Sequence, residues 1–198
     1  MVAANRIEVK KTYKLFINGA FPRGESGRVF EVLSKKGHFI ANPCLASRKD
    51  LRDSVTAARA AQHGWAKATA YNRGQILYRI AEMLEGRSEQ LAAEIAATSA
   101  TTPLKAQAMV SEAIDRWVWY AGWSDKLSAV SGATNPVAGP YYNFTIPEPL
   151  GVVVVATADS FIDFIDAIAA AVVSGNSVIA LLSGGLSVPA MTFAEVLA

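Results

Sequence analysis

Along the chain the spacing of hydrophobic and polar residues changes period several times, and each change marks an element. At residues 13–21, Tyr-Lys-Leu-Phe-Ile-Asn-Gly-Ala-Phe sets Asn18-Gly19 between short apolar stretches. Both residues tolerate positive φ, so the pair predicts a tight hairpin. A polar turn at Gly24-Glu25-Ser26-Gly27 leads to a second strand expected at 29–33. From Ser47 the period becomes helical. Ser47 with Asp50 three residues later can cap a helix whose Leu51, Val55, Ala58 and Trp65 share one face. Asn72 with Gln75 repeats that spacing ahead of a broad apolar face of Ile76, Leu77, Ile80, Ala81, Leu84 and Leu91. Pro103 suits the first turn of a third helix running to Leu127, with Ile114, Trp117, Val118 and Ala121 turned inward. Trp119 and Trp123 lie on a neighbouring face, and aromatics at helical spacing read as core or subunit contact.

Beyond that helix the pattern loosens. Residues 131–149 are rich in Gly, Pro and Asn and read as a linker carrying one edge strand at 141–146. Residues 151–158 are a continuous apolar run, as in a strand buried on both faces. Phe161, Ile165, Ile168, Ala169 and Val172 give a helix face, Gly175 ends it, and 178–182 predicts a second buried strand. A last helix is expected from Ser187 or Pro189 to the end. Strand, crossover helix and parallel strand outline a nucleotide-binding α/β fold. A sheet of two strands leaves an edge and a face to be covered by the first helices, a partner chain or a continuation.

With 198 residues, 52% of them hydrophobic, the chain can bury a substantial core in one domain of ordinary size. A net charge of +2, with no basic cluster among aromatics, gives no reason to expect a nucleic-acid partner. The single cysteine, Cys44, excludes an intrachain disulfide and fits a reducing, cytoplasmic setting; in its Asn-Pro-Cys turn it reads as an ordinary small residue. His38 and His63 stand apart from any Cys or carboxylate at ligand spacing, so no metal is expected. The charged N-terminus reads as a frayed lead-in and not as a secretion signal. Residues 167–194 carry no charge and are long enough to span a bilayer, but glycines, serines, Asn176 and Pro189 divide them into short pieces of an α/β core. No membrane association is expected.

Several local phrases resemble the aldehyde dehydrogenase family, in the family's order and over nearly the whole chain. They are Leu15-Phe16-Ile17-Asn18-Gly19, Asn42-Pro43, Ala57-Ala58-Arg59-Ala60-Ala61, Asn72-Arg73-Gly74, Tyr120-Ala121-Gly122-Trp123, Glu148-Pro149-Leu150-Gly151 and Gly175-Asn176-Ser177-Val178. The resemblance implies an N-terminal hairpin and helical part of the cofactor-binding domain at 1–130, a linker with an oligomerisation-type strand at 131–149, and the start of a Rossmann-like parallel sheet at 150–198. It also implies oxidation of aldehydes with NAD or NADP. In that chemistry a cysteine thiolate attacks the carbonyl and a glutamate acts as base, both from later segments of the family's chain, while an Asn after the first strand steadies the oxyanion.

By the same resemblance the cofactor-binding positions are Ala156, Thr157, Ala158, Leu181, Ser183 and Gly184, and they depart from the family's pattern. Ser160 stands in place of the oxyanion Asn, with Asp159 beside it, and Leu181 in place of a lysine that touches the adenosine ribose. Residues 151–198 hold Asp159, Asp163, Asp166 and Glu195 but no Lys or Arg, a poor balance for a pyrophosphate, although helix N-terminal amides can bind an anion without basic side chains. Ser183-Gly184-Gly185 lacks the full phosphate-loop pattern and reads as a turn. The expectation is a non-catalytic or truncated subunit that assembles with itself or with an active paralogue through 141–146. The N-terminal portion of a working dehydrogenase, and an oligomerisation scaffold that binds no nucleotide, stay open as alternatives.

Overall fold

The computed structural model describes residues 9–99, 101–156, 160–182 and 184–198. The lead-in at 1–8, and Thr157, Ala158, Asp159 and Ser183, lie outside the described residues. Asn18 and Gly19 take φ of 53° and 72° and fold Ile17 onto Ala20 through backbone hydrogen bonds of 2.9 and 3.1 Å, the hairpin expected of an Asn-Gly pair. The next strand is β1 (Val32–Leu33), shorter than the expected 29–33. It pairs antiparallel with β2 (Phe39–Ala41), which the sequence pattern did not reveal. Val29 instead makes an isolated bridge to Cys44.

Helix α1 (Arg48–Lys67) starts on a complete capping box: the Asp50 amide donates to Ser47 Oγ, and the Ser47 amide donates to Asp50 Oδ2 at 2.7 Å. Val55, Ala58 and Trp65 are half-buried, but Leu51 remains 45% exposed. The helix is anchored at its far end, where Trp65 joins the core and its Nε1 donates to Val172 O at 2.8 Å.

Helix α2 (Ala70–Glu85) is capped by Thr69, whose Oγ1 accepts from the Asn72 amide; Asn72, the expected cap, is already inside the helix. Its face is narrower than expected, with Leu77, Ala81 and Leu84 buried and Ile76 exposed. Leu91 belongs to a separate α3 (Ser88–Thr98), because the chain breaks at Gly86 and Arg87.

Helix α4 (Pro103–Trp123) has Pro103 in its first turn and Thr102 as cap, and it ends before Leu127, which opens the short α5 (Leu127–Ser131). Ala106, Val110, Ile114, Trp117 and Ala121 are buried, whereas Val118 is exposed, about 100° round the helix from Trp117.

The linker contributes two strands where one was expected. β3 (Ala133–Asn135) pairs antiparallel with β4 (Asn143–Thr145), and Asn135 Nδ2 ties the pair by donating to Asn143 Oδ1 and Thr145 Oγ1.

The α/β unit follows as β5 (Val152–Ala156), α6 (Phe161–Val173), β6 (Ser177–Leu181), a 3₁₀ turn (Gly184–Leu186) and α7 (Ser187–Leu197). The strands run parallel, in register from Val152 with Ser177 to Ala156 with Leu181. Burial of β5 on both faces does not hold: Val155 is buried but Val154 is 56% exposed, since successive side chains point to opposite faces and the face that Val154 shares with the exposed Ala156 is left open.

The main core gathers Leu77, Leu84, Leu91, Trp117, Ile165 and Phe193 from the helices, with Phe193 edge-on to Trp117 at 5.3 Å between ring centroids. Tyr13, Val32 and Ala41 form a second cluster with Val188 of α7. Among the described residues no helix is long and apolar enough to cross a membrane.

Candidate functional site at the strand ends

In open parallel sheets ligands sit beyond the carboxyl ends of the strands. Here that edge is formed by Ala156 and Leu181, register partners that lie side by side and are both exposed, Leu181 at 49%. Between the strands, Ser160 is the N-cap of α6: it has extended backbone, and its Oγ accepts from the Asp163 amide at 3.3 Å. Asp163 adds a carboxylate to that first turn. Gly184 opens the 3₁₀ turn with φ 54°, and its carbonyl accepts from Ser187 Oγ at 2.7 Å.

Of the positions singled out from the sequence, the structure places Ala156 directly against Leu181, and Ser160 and Gly184 on the segments that follow the two strands. Thr157, Ala158, Asp159 and Ser183 fall outside the described residues.

The two segments meet at a cleft of ≈ 300 Å³ lined by Phe161, next to Ser160, and by Gly185 and Leu186, next to Gly184. Ile95, Thr98 and Met109 close it from α3 and α4. A side chain at Gly185 would put its Cβ 2.8 Å from Thr98 Cβ and 2.9 Å from Thr98 O, so the turn can lie this close to α3 only with glycine there. Nothing in the sequence signalled the α3 and α4 residues, because their place beside the cleft comes from helix packing and not from a motif.

The acidic balance of 151–198 is altered by cations from outside the segment. Arg116 of α4 pairs with Asp166 and also with Glu112, and the hydrogen bonds it donates first to Glu112 and then to Asp166 hold its guanidinium above its ordinary value. Lys11 and Arg87 both bind Glu195, at 2.6 and 2.9 Å. These pairs neutralise charge away from the strand ends and bring no cation to Leu181. Among the described residues no cluster of three His, Cys, Asp or Glu could hold a metal ion.

At these strand ends Ala156, Leu181, Ser160 and Gly184 bring no charged side chain to the phosphates of a dinucleotide. An exposed leucine ends β6, the cap of α6 already uses a side-chain oxygen on the Asp163 amide, and the Asp163 carboxylate opposes an anion at that helix end.

A family model described as the aldehyde dehydrogenase family matches residues 22–198. Human mitochondrial 10-formyltetrahydrofolate dehydrogenase is 35% identical over 156 residues, covering 75% of this chain and 17% of that protein. The cytosolic 10-formyltetrahydrofolate dehydrogenase of Xenopus tropicalis is 33% identical over 96% of this chain and 22% of its own length. Benzaldehyde dehydrogenase of Antirrhinum majus mitochondria is 35% identical over 70% of this chain and 26% of its own. Among solved structures, an NAD-dependent aldehyde dehydrogenase from Sinorhizobium meliloti superposes with a TM-score of 0.89 at 25% identity, covering 95% of this chain and 38% of that one. An aldehyde dehydrogenase from Bacillus cereus does so with 0.87 at 26% identity, over 96% and 41%. The chain thus spans between 17% and 26% of the length of these curated relatives.

Proposed function

Since the chain belongs to the aldehyde dehydrogenase family, we propose that it is a non-catalytic subunit, which keeps the family's N-terminal architecture for assembly with itself or with an active paralogue. One observation carries this reading: the strand ends present Leu181 and a capping Ser160 where the family's pattern has a lysine and an oxyanion-binding Asn. A serine here offers one short donor, beside a helix turn that bears a carboxylate. Loss of a single oxyanion donor lowers kcat by about 10²–10³.

Purified chain incubated with NAD or NADP and several aldehydes is therefore expected to form no NADH or NADPH above background. Clear turnover by this chain alone overturns the reading. Calorimetric titration with NAD and NADP should show weak binding or none, and Leu181→Lys should tighten it; tight binding by the unmodified chain also counts against the proposal.

In this reading 1–130 is the hairpin and helical part of the cofactor domain, 131–149 the assembly segment and 150–198 the partial Rossmann-like unit, in a cytoplasmic protein. Tyr141, Tyr142, Phe144 and Ile146 are exposed on and around β4, which supports assembly through that strand.

A second reading, the N-terminal portion of a working NAD(P)-dependent enzyme, is favoured by the small share of its relatives' length that the chain spans. A reading frame that continues with a Cys and a Glu in the family's context would select it. Co-purification with a complete dehydrogenase would select the first.

A further inference from the structure

Between the N-terminal segment, α3 and α7 lies a cluster of titratable groups that the strand-end site does not use. Glu94 of α3 accepts at Oε1 from Gln90 Nε2 at 2.9 Å and from Thr192 Oγ1 at 2.8 Å, while its Oε2 is buried with no partner among the described residues. Gln90 Nε2 also reaches Thr192 Oγ1, so α3 and α7 are stitched through one carboxyl group. One turn along α7, Glu195 receives Lys11 from the N-terminal segment and Arg87 from the start of α3. The Lys11 ammonium lies 5.3 Å from the Tyr13 ring centroid, and Tyr13 is buried in one apolar cluster with Val188 of α7. The groups facing Glu94 are therefore Lys11 and Tyr13 from the N-terminal segment, Gln90 from its own helix, and Thr192 and Glu195 from α7, with Arg87 engaged on Glu195.

We propose that this cluster is a proton-operated latch: with Glu94 neutral the N-terminal segment is held on α7, and with Glu94 ionised the segment and α7 loosen together. An ionised Glu94 leaves a charged oxygen buried and unpaired beside a second carboxylate, whereas a neutral carboxyl leaves only a hydroxyl to satisfy. Burial pushes the Glu94 carboxyl above its ordinary value, the Gln90 and Thr192 hydrogen bonds and Lys11 pull it back in part, and Glu195 adds to the rise. With the native value raised, the latch is fully closed below the unfolded value of about 4.3 and weakens as pH rises through the native one. Because α7 follows directly on the 3₁₀ turn at Gly184–Leu186, loosening it also frees one wall of the cleft.

Amide exchange on the full chain, read as protection factors for residues 10–16 and 187–197, tests the latch without reference to the dehydrogenase reading. Protection in both segments should fall about fivefold between about pH 4, below the unfolded value, and about pH 8. Glu94→Gln should keep both segments protected with a flat profile. Glu195→Gln, which removes the charge that holds Lys11 and Arg87, should lower protection of 10–16 at every pH. A flat wild-type profile, an unchanged slope in Glu94→Gln, unchanged protection in Glu195→Gln, or a Glu94→Gln chain that fails to fold would each overturn the latch.

Discussion

Asn176 is buried with its whole amide engaged: Oδ1 accepts from the Gly151 amide at 2.9 Å, and Nδ2 donates to Ala171 O and Ser174 Oγ. One side chain thereby ties the start of β5 to the end of α6, which gives a physical reason for the Gly-Asn-Ser phrase read from the sequence only as a family likeness. Asn176→Ala should cost about 2 kcal/mol in urea unfolding by leaving those groups unpaired. Asn176→Asp should cost more, since an acceptor would then face the Ala171 carbonyl.

Asp50 behaves differently, and its effect depends on pH. Burial pushes its carboxyl upward, but amide hydrogen bonds from Ser47 and Glu25 outweigh that and hold it below its ordinary value. Its contribution is therefore full above the unfolded value of about 3.9 and is lost as pH falls through the lower native value. Thermal melts should show a steep loss of stability below about pH 4 in the wild-type chain and a shallower one in Asp50→Asn.

At the scale of elements, α6 is held at both ends. Ser160 caps its first turn, while Trp65 Nε1 and Arg73 Nε donate to the carbonyls of Val172 and Val173 at its last. A cation at the carboxyl end also matches the helix dipole. This accounts for the Asn72-Arg73-Gly74 phrase: Arg73 reaches α6, and Gly74 lets α2 pack against Ser124 and within 3.2 Å of the Ala121 carbonyl, measured from an added Cβ. Gly74→Ala should destabilise by about 1–3 kcal/mol despite the better helix propensity of alanine, because the contact on one side is backbone that cannot swing away. An unfolding midpoint equal to or above the wild-type value would remove this explanation. Local signals were legible in the Ser47 capping box and the Asn18-Gly19 turn, where donor and acceptor are neighbours in sequence, but the equally local Thr69 cap of α2 was passed over for Asn72, which has the same type of cap-forming side chain. The division of α2 from α3 at Gly86 was not, since Leu91 continues the apolar spacing of α2 across the break.

For the whole molecule, what could not be read are the contacts that close long loops. Arg116 meets Asp166 across 50 residues and Arg87 meets Glu195 across 108, so a segment that looks purely acidic in sequence is in part neutralised in the fold. Distance along the chain also hides what stays bare. The apolar run at β5 looked fully buried, yet Val154 faces outward, and the hairpin of β3 and β4 carries no buried residue. Tyr142 and Phe144 touch each other at 5.3 Å between ring centroids while both remain exposed, an arrangement that shields little apolar area from water within one chain. If this surface is where copies or a paralogue join, replacing Tyr142, Phe144 and Ile146 with serine should lower the assembled mass in light scattering to that of a single chain. The far-UV spectrum should be unchanged, because these side chains lie outside both core clusters. An assembly of the same mass after all three substitutions would mean that association runs through another face, and the free edges of β5 and β6 would then be the surface to probe.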